Sequence, residues 1–249
     1  MLSRWKYSPT VRTSADARHN RCEAQSRSDG RDPLAGRTIY VSSIEDIVLK
    51  DKEVVLTFDD GPASRQTEKI LSALRAYSVK ATFLMIGRKA LRYPKIAERV
   101  VADGHSVGSH TLNHPDLSDL AFSQAMDEIK AGALAVTKAT DTSVGFFRFP
   151  FLADTPALRD AVTQSAMVLL EVDIDSKDYF KDSPETIAAR TTDALRACGS
   201  GIILFHDIHK RTAGLLPMFL QQLDQEGYRV VHLVYEPPKQ RHDLTAARQ

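Results

Sequence analysis

Two adjacent carboxylates, Asp59 and Asp60, close the apolar run Glu53-Val-Val-Leu-Thr-Phe58 and open directly onto Gly61-Pro62. Neighbouring side chains in extended backbone point to opposite sides, so the pair suits two tasks, one carboxylate on a metal and the other on a water. His110-Thr-Leu-Asn-His114 supplies two imidazoles with three residues between them. In a helical turn that spacing puts both rings on one face, as a zinc site requires. With Asp60 they form a two-histidine, one-carboxylate set that leaves coordination positions open, which distinguishes a catalytic metal from a structural one. His105 lies too near the preceding strand to join them and is read as structural.

Three further segments carry reactive residues at the ends of β-type runs. Arg148-Phe-Pro-Phe151 offers a guanidinium that can orient a carboxylate, and a proline that fixes the backbone so the Phe151 N–H can be aimed at a developing oxyanion. In Asp175-Ser-Lys-Asp-Tyr179, Asp178 is suited to hold a histidine charged and Tyr179 to wall a small pocket. His206 closes Ile202-Ile-Leu-Phe205 and is followed by Asp207 and His209; its reference pKa of ~6.5 is easily moved, which suits a general acid. Singly, each segment has an ordinary reading as a turn, a surface pair or a capped strand end. Their joint placement at successive strand ends points to one site.

The elements that must position them alternate along the chain. Strands expected at 53–58, 81–86, 105–108, 146–149, 167–172, 202–205 and 228–231 are interleaved with helices at 66–77, 94–103, 118–138, 155–164, 184–197 and 213–226. About seven such repeats imply parallel strands joined by right-handed crossovers. No Gly-x-Gly-x-x-Gly follows the first strand, which disfavours a dinucleotide fold. A barrel is favoured over an open sheet because Asp59, His110, Arg148, Asp175 and His206 would then converge on one mouth. The expected organisation is one α/β barrel domain over 38–238, between a polar N-terminal tail (1–37) and a short C-terminal one (239–249).

The bulk properties narrow the partners. Of 249 residues, 43% are hydrophobic and 26% charged, with a formal net charge of +1. That balance gives no electrostatic reason to expect nucleic acid or an anionic membrane surface. No apolar run approaches the roughly 20 residues of a membrane span. Cys22 and Cys198 have no metal-ligand spacing and are read as two free thiols, so a metal here must be held by nitrogen and oxygen. The N-terminus MLSRWKYSPTVRTSADARHN is basic, with Arg and Ser in transit-peptide proportion, but lacks the apolar stretch of a secretory signal. By sequence alone the expectation is cytoplasmic.

Taken in order, Thr57-Phe-Asp-Asp-Gly-Pro62, His110 with His114, Arg148-Phe-Pro-Phe151, Asp175-Ser-Lys-Asp-Tyr179 and Leu204-Phe-His206 resemble the five motifs of the polysaccharide deacetylases. These are the carbohydrate esterases of family four, or nodulation-type chitooligosaccharide deacetylase homology domain, and the likeness spans about residues 50–235. The resemblance implies a distorted (β/α)7-type barrel of the glycoside hydrolase and deacetylase kind. It also implies a divalent metal, usually zinc, on Asp60, His110 and His114. By the same resemblance Asp59 is the general base, His206 the general acid, Arg148 orients Asp59, and Asp178 tunes His206. The Phe151 N–H joins in holding the oxyanion, and Tyr179 and Leu204 form the acetyl pocket. The implied substrate is an acetylated amino-sugar glycan of chitooligosaccharide or peptidoglycan type. An O-acetyl xylan esterase, a cyclic-amide hydrolase and an inactive carbohydrate-binding homologue are the alternatives; the intact His-x3-His argues against the metal-independent cyclic-amide branch. Two positions depart from the common pattern: Phe151 stands where Tyr is usual, and Tyr179 where Trp is usual. The family works mostly outside the cytoplasm, against the reading of the N-terminus.

Overall fold

The strand that carries the paired aspartates, β2 (Glu53–Asp59), is buried along its whole length, as the near-continuous apolar run requires. In this computed structural model residues 34–165 and 167–237 are described, and all belong to one compact unit. The N-terminal segment read as a tail lies outside them up to residue 33, as does Cys22; the C-terminal segment 239–249 lies outside them entirely.

β2 lies between β3 (Thr82–Met85) and β8 (Gly201–His206), and the sheet continues from β3 through β4 (Ser106–Ser109) and β5 (Phe146–Phe147) to β6 (Val168–Leu169). On the other side β7 (Ile174–Asp175) pairs with β8. Every pairing is parallel. The seven strands from β7 round to β6 curl into a nearly closed barrel whose seam falls between β6 and β7. Outside this ring β1 (Ala35–Val41) pairs with β9 (Arg229–Tyr235), which joins the start of β2 at Glu53 and Val54.

Alternation along the strands separates two cores. Phe58, Phe83 and Phe205 face outward, with ring centroids 5.1 and 5.8 Å apart, and Phe219 of α7 (Lys210–Gln225) packs on Phe205 at 5.4 Å. With Ile70, Leu71 and Leu74 of α1 (Gln66–Ala76) they belong to the largest apolar cluster. Emptying one of these ring positions, as in Phe58→Ala, is expected to cost about 3–5 kcal/mol. The other face of β2 reads Val55, Thr57, Asp59, and that of β8 reads Ile202, Leu204, His206. Val55 and Ile202 pack with Ile39, Val41, Val231 and Leu233, so β1 and β9 plug the N-terminal end of the barrel. The interior is therefore apolar at that end and polar where the strands finish.

The remaining helices are α2 (Gly87–Arg92), α3 (Pro94–Ala102), α4 (Phe122–Thr140), α5 (Pro156–Gln164) and α6 (Pro184–Cys198). Thr155 and Ser183 cap α5 and α6 by accepting from the amides of Leu158 and Thr186, each with proline as the first helical residue. Several expectations change: the strand expected over 167–172 is only Val168–Leu169, β7 is an additional strand, and so is β1, which starts at Ala35 within the segment 1–37 read as a tail. Ser118 does not cap the long helix: Asp116 captures its amide and hydroxyl in a short 3-10 turn, and α4 begins at Phe122. α2 was not expected, because six residues are too few to show helical periodicity. Its Gly87 lies against α4, where a Cβ would meet that of Ala135 at 2.9 Å.

Candidate active site

Asp59 ends β2 inside the barrel and is 2% exposed. The Arg148 guanidinium, 1% exposed, donates from one terminal nitrogen both to Asp59 Oδ1 and to Thr57 Oγ1, each at 2.8 Å. Its other nitrogens donate to the carbonyls of Leu170 and Glu171 at the barrel seam, each at 3.1 Å. An arginine so tethered cannot swing away, and its planar fork sets the carboxylate's orientation. Burial pushes the Asp59 carboxyl above its ordinary range, although Arg148 and His206 work in the other direction. Thr57, two residues before Asp59 on the same strand face, carries no catalytic signal in the sequence, yet it receives Arg148 and donates to the Ile203 carbonyl at 2.8 Å.

Asp60 does not point away from Asp59 as extended backbone would require. It has left the strand, with φ at 75°, and both carboxylates turn toward one imidazole. His110 Nε2 lies 3.8 Å from Asp59 Oδ2 and 3.7 Å from Asp60 Oδ1. The two carboxylates differ instead in their surroundings: Asp59 is held by Arg148, whereas Asp60 has no guanidinium partner among the described residues.

Nor is the His110–His114 segment a helical turn. Thr111 and His114 both have positive φ, at 64° and 66°, and the loop is held by the Thr111 hydroxyl accepting the His114 amide and by the Leu112 amide donating to the Glu128 carbonyl. The rings still meet, 4.8 Å apart edge to face, because the loop doubles back rather than because residues recur with helical period. His114 Nε2 comes to 3.2 Å from Asp60 Oδ1.

The donor atoms of Asp60, His110 and His114 all lie within 4.8 Å of one another. His110 Nδ1 is 2.8 Å from the Arg148 carbonyl, which only an N–H can satisfy, so the lone pair must be on Nε2 and faces the cluster. Burial lowers the His110 pKa to about 3, against the opposing charge of Asp60, and keeps the ring neutral. Asp60 Oδ1 is buried without a hydrogen-bond donor. Two imidazoles and an orphaned buried carboxylate oxygen brought to one point are a donor set for a divalent cation.

His206 stands beside Asp59 in the register of β8 on β2. Its Nδ1 is 2.7 Å from Asp178 Oδ1, and its own amide donates to Asp178 Oδ2 at 2.8 Å. Burial disfavours the imidazolium, but the hydrogen bond and charge of Asp178, with smaller help from Asp60 and Asp59, push the pKa up to about 9. Asp178 is fully buried and also accepts from the Thr212 hydroxyl, while Arg211 donates to its carbonyl. Burial pushes the Asp178 carboxyl up, yet the hydrogen bonds from His206 and Thr212 and the charge of His206 together outweigh it, and the net shift is downward. The sequence neighbour Asp207 points elsewhere. Its carboxylate accepts from the Thr67 hydroxyl at 2.6 Å and fills the space a side chain at Gly61 would take, a Cβ there lying 2.1 Å from Oδ2. Burial pushes the Asp207 pKa up to about 7. Thr212 of α7 supports the site through Asp178, whereas Thr67 of α1 holds Asp207, and no local pattern in the sequence marks either.

Phe151 sits in a 3-10 turn with left-handed backbone (φ 59°), and its ring lies edge-on to His114 at 4.7 Å. Tyr179 is half-buried, donates to Asp175 at 2.8 Å, and stands perpendicular to the His206 ring at 5.6 Å. Leu204, 5% exposed, lies two residues before His206 on the same strand face. His105 is apart from the site, as expected: its Nδ1 accepts the Ala81 amide at 3.1 Å and its ring packs on Phe83. The ten residues read as site residues thus lie on strand ends or following loops around one mouth.

Comparison with known proteins identifies the family and the fold. Residues 47–169 match the polysaccharide deacetylase family model. A chitin deacetylase of Colletotrichum lindemuthianum is 30% identical over 82% of this chain and 87% of its own. A peptidoglycan-N-acetylglucosamine deacetylase of Listeria monocytogenes, PgdA, is 31% identical over 73% of this chain, which spans 38% of that protein's length. Among solved structures, the Bdellovibrio bacteriovorus peptidoglycan deacetylase Bd3279 superposes with a TM-score of 0.72 at 35% identity, covering 84% of this chain and 58% of that one.

Proposed function

The chain belongs to the polysaccharide deacetylase family, and from that premise we propose that it is a metal-dependent hydrolase removing N-acetyl groups from N-acetylglucosamine units of a glycan. The observation that carries the reading is the cluster of Asp60, His110 and His114 set between a buried carboxylate and a charged histidine. A cation bound there, zinc by its nitrogen and oxygen donors, would polarise the acetyl carbonyl and lower the pKa of water from ~15.7 towards ~7.

The chain's own residues divide the proton work. Asp59, with its carboxyl pKa raised by burial, takes the proton of the attacking water, and Arg148 keeps the accepting oxygen aimed. The Phe151 N–H supplies a fixed dipole where the carbonyl oxygen gains charge. His206, charged through Asp178, returns a proton to the departing nitrogen, without which an amide nitrogen is a poor leaving group. Tyr179 and Leu204 wall the acetyl methyl, and the smaller ring at 179 adjusts pocket size rather than the chemistry. A strongly held proton donor favours an amide over an O-acetyl ester, whose alkoxide leaves with less help. Incubation with chitin oligosaccharides should release acetate, lose it to a chelator and regain it with zinc. Binding without release would overturn the hydrolase reading.

A further inference from the structure

The two loops that carry the proposed cation donors are joined by a third segment. β3 lies between β2 and β4, so the chain leaving β3 passes between the loop after Asp59 and the loop from His110 to His114. Its next four residues each donate a hydrogen bond sideways. The Ile86 amide donates to the Gly61 carbonyl at 3.0 Å, the Gly87 amide to that of Thr111 at 2.9 Å, and the Arg88 amide to that of Leu112 at 3.1 Å. Lys89 Nζ donates to the Asp60 carbonyl at 2.9 Å. The first amides of a helix have no partner inside it, and in α2 those of Gly87 and Arg88 go to the His110–His114 loop. Packing closes the arrangement from behind. A Cβ at Gly132 of α4 would lie 2.3 Å from the Thr111 carbonyl carbon, so helix and loop backbone approach closely there. Glu128 of the same helix accepts from the Asn113 amide at 2.9 Å and from its side chain at 2.6 Å.

This support falls where the backbone needs it. Asp60, Thr111 and His114 hold left-handed φ without being glycine, a state that persists only when surrounding contacts over-determine it. Of the four donors, only that of Lys89 is a side chain, so substitution can remove it alone. Lys89 is half-buried, and among the described residues no carboxylate lies within ion-pairing distance of its ammonium. We propose that Lys89 is a positioning residue for the cation site: its ammonium ties the Asp60 backbone to α2, and α2 ties it to the His110–His114 loop, so that all three donors are gathered before a cation arrives. The inference rests on the hydrolase reading above and deepens it. Charge alone would act in the opposite sense, because the Lys89 ammonium is felt at His114 and repels a divalent cation. Water around a half-buried side chain screens that repulsion. Loss of an outer partner that orients a metal-binding group, by contrast, weakens metal binding about 10- to 100-fold. Positioning therefore outweighs repulsion, and the two roles move zinc affinity in opposite directions when the ammonium is removed.

The test titrates zinc into the metal-free full chain against a chromophoric chelator. Lys89→Met is expected to bind zinc about tenfold more weakly than wild type, and Lys89→Arg, which keeps a donor and a charge, to recover part of the loss. Lys89→Gln, neutral and too short to reach the carbonyl, repeats the comparison should Lys89→Met fail to fold. Cobalt(II) gives a second readout that a distant charge would not move. The visible ligand-field bands should shift in Lys89→Met, because a displaced Asp60 carboxylate alters the coordination. Zinc affinity that rises or stays level in Lys89→Met overturns the positioning role, as does a loss of affinity with unmoved cobalt bands; either leaves the hydrolase reading intact. Wild type that binds zinc but releases no acetate from chitin oligosaccharides sinks the hydrolase reading alone, since the affinity ratio still decides the role of Lys89. Wild type that takes up neither zinc nor cobalt removes both.

Discussion

The two ends of the barrel each set a histidine beside an aromatic ring, one imidazole charged and the other neutral. His206, where the strands finish, packs against Tyr179 and is pushed up to about 9. His105, where β4 begins, packs against Phe83 and is pushed down to about 3. Burial works against the charged form in both. What separates them is the partner: Asp178 holds both the ring and the amide of His206, whereas His105 receives the Ala81 amide on Nδ1 and feels the charge of Lys80. Residue type and burial alone do not set a histidine's role; the donor or acceptor that meets the ring does.

The contrast can be broken most severely at the end that does the proposed chemistry. Asp59→Asn keeps the shape and the cation donors but removes the proposed base, so turnover should fall about 10³-fold while zinc content measured on purified protein stays unchanged. Near-normal turnover would remove Asp59 from that role. Asp178→Asn strips the charge that makes His206 unlike His105. The His206 pKa then falls; because the proposed acid works only when protonated, the alkaline limb of the pH–rate profile should move to lower pH. At pH 8 turnover should drop about 10²-fold. A limb that stays in place would mean that another group sets it.

Gly61→Ala tests packing rather than charge. A Cβ there would collide with the Asp207 carboxylate, so thermal unfolding should show a loss of about 3 kcal/mol. The smallest effect lies at the other end. The folded pKa of His105 is below its ordinary value, so the unfolded chain takes up the proton first. The neutral ring therefore contributes stability that is present above pH ~6.5 and is lost as pH falls towards 3. His105→Asn, whose side-chain oxygen can still accept from Ala81, should flatten the decline between pH 7 and 5 by about 2 kcal/mol in denaturant titrations.

Much of this site is legible before any fold is known, because strand ends announce themselves. Apolar runs stop at Asp59 and His206 or just before Arg148, a short strand stops just before His110, and in parallel α/β architecture such ends converge. What fails is local geometry inferred from regular backbone. The opposition of Asp59 and Asp60 assumes an extended chain, and the pairing of His110 with His114 assumes a helical one. Positive φ at Asp60, Thr111 and His114 defeats both assumptions while bringing the side chains together by another route. α2 is too short to leave a periodic trace, so its Lys89, whose Nζ donates to the Asp60 carbonyl, is not legible at that level.

Hydrophobic period and strand-end residue types, both properties of short stretches of chain, were enough to set the barrel class and to name side chains that the structure brings to one mouth. Their protonation and their partners were decided only in three dimensions. Asp178 meets His206 across 28 residues, Arg148 meets Asp59 across 89, and Asp207 meets Thr67 across 140. Desolvation and charge pairing depend on what surrounds a group in space, and no window along the chain contains those neighbours.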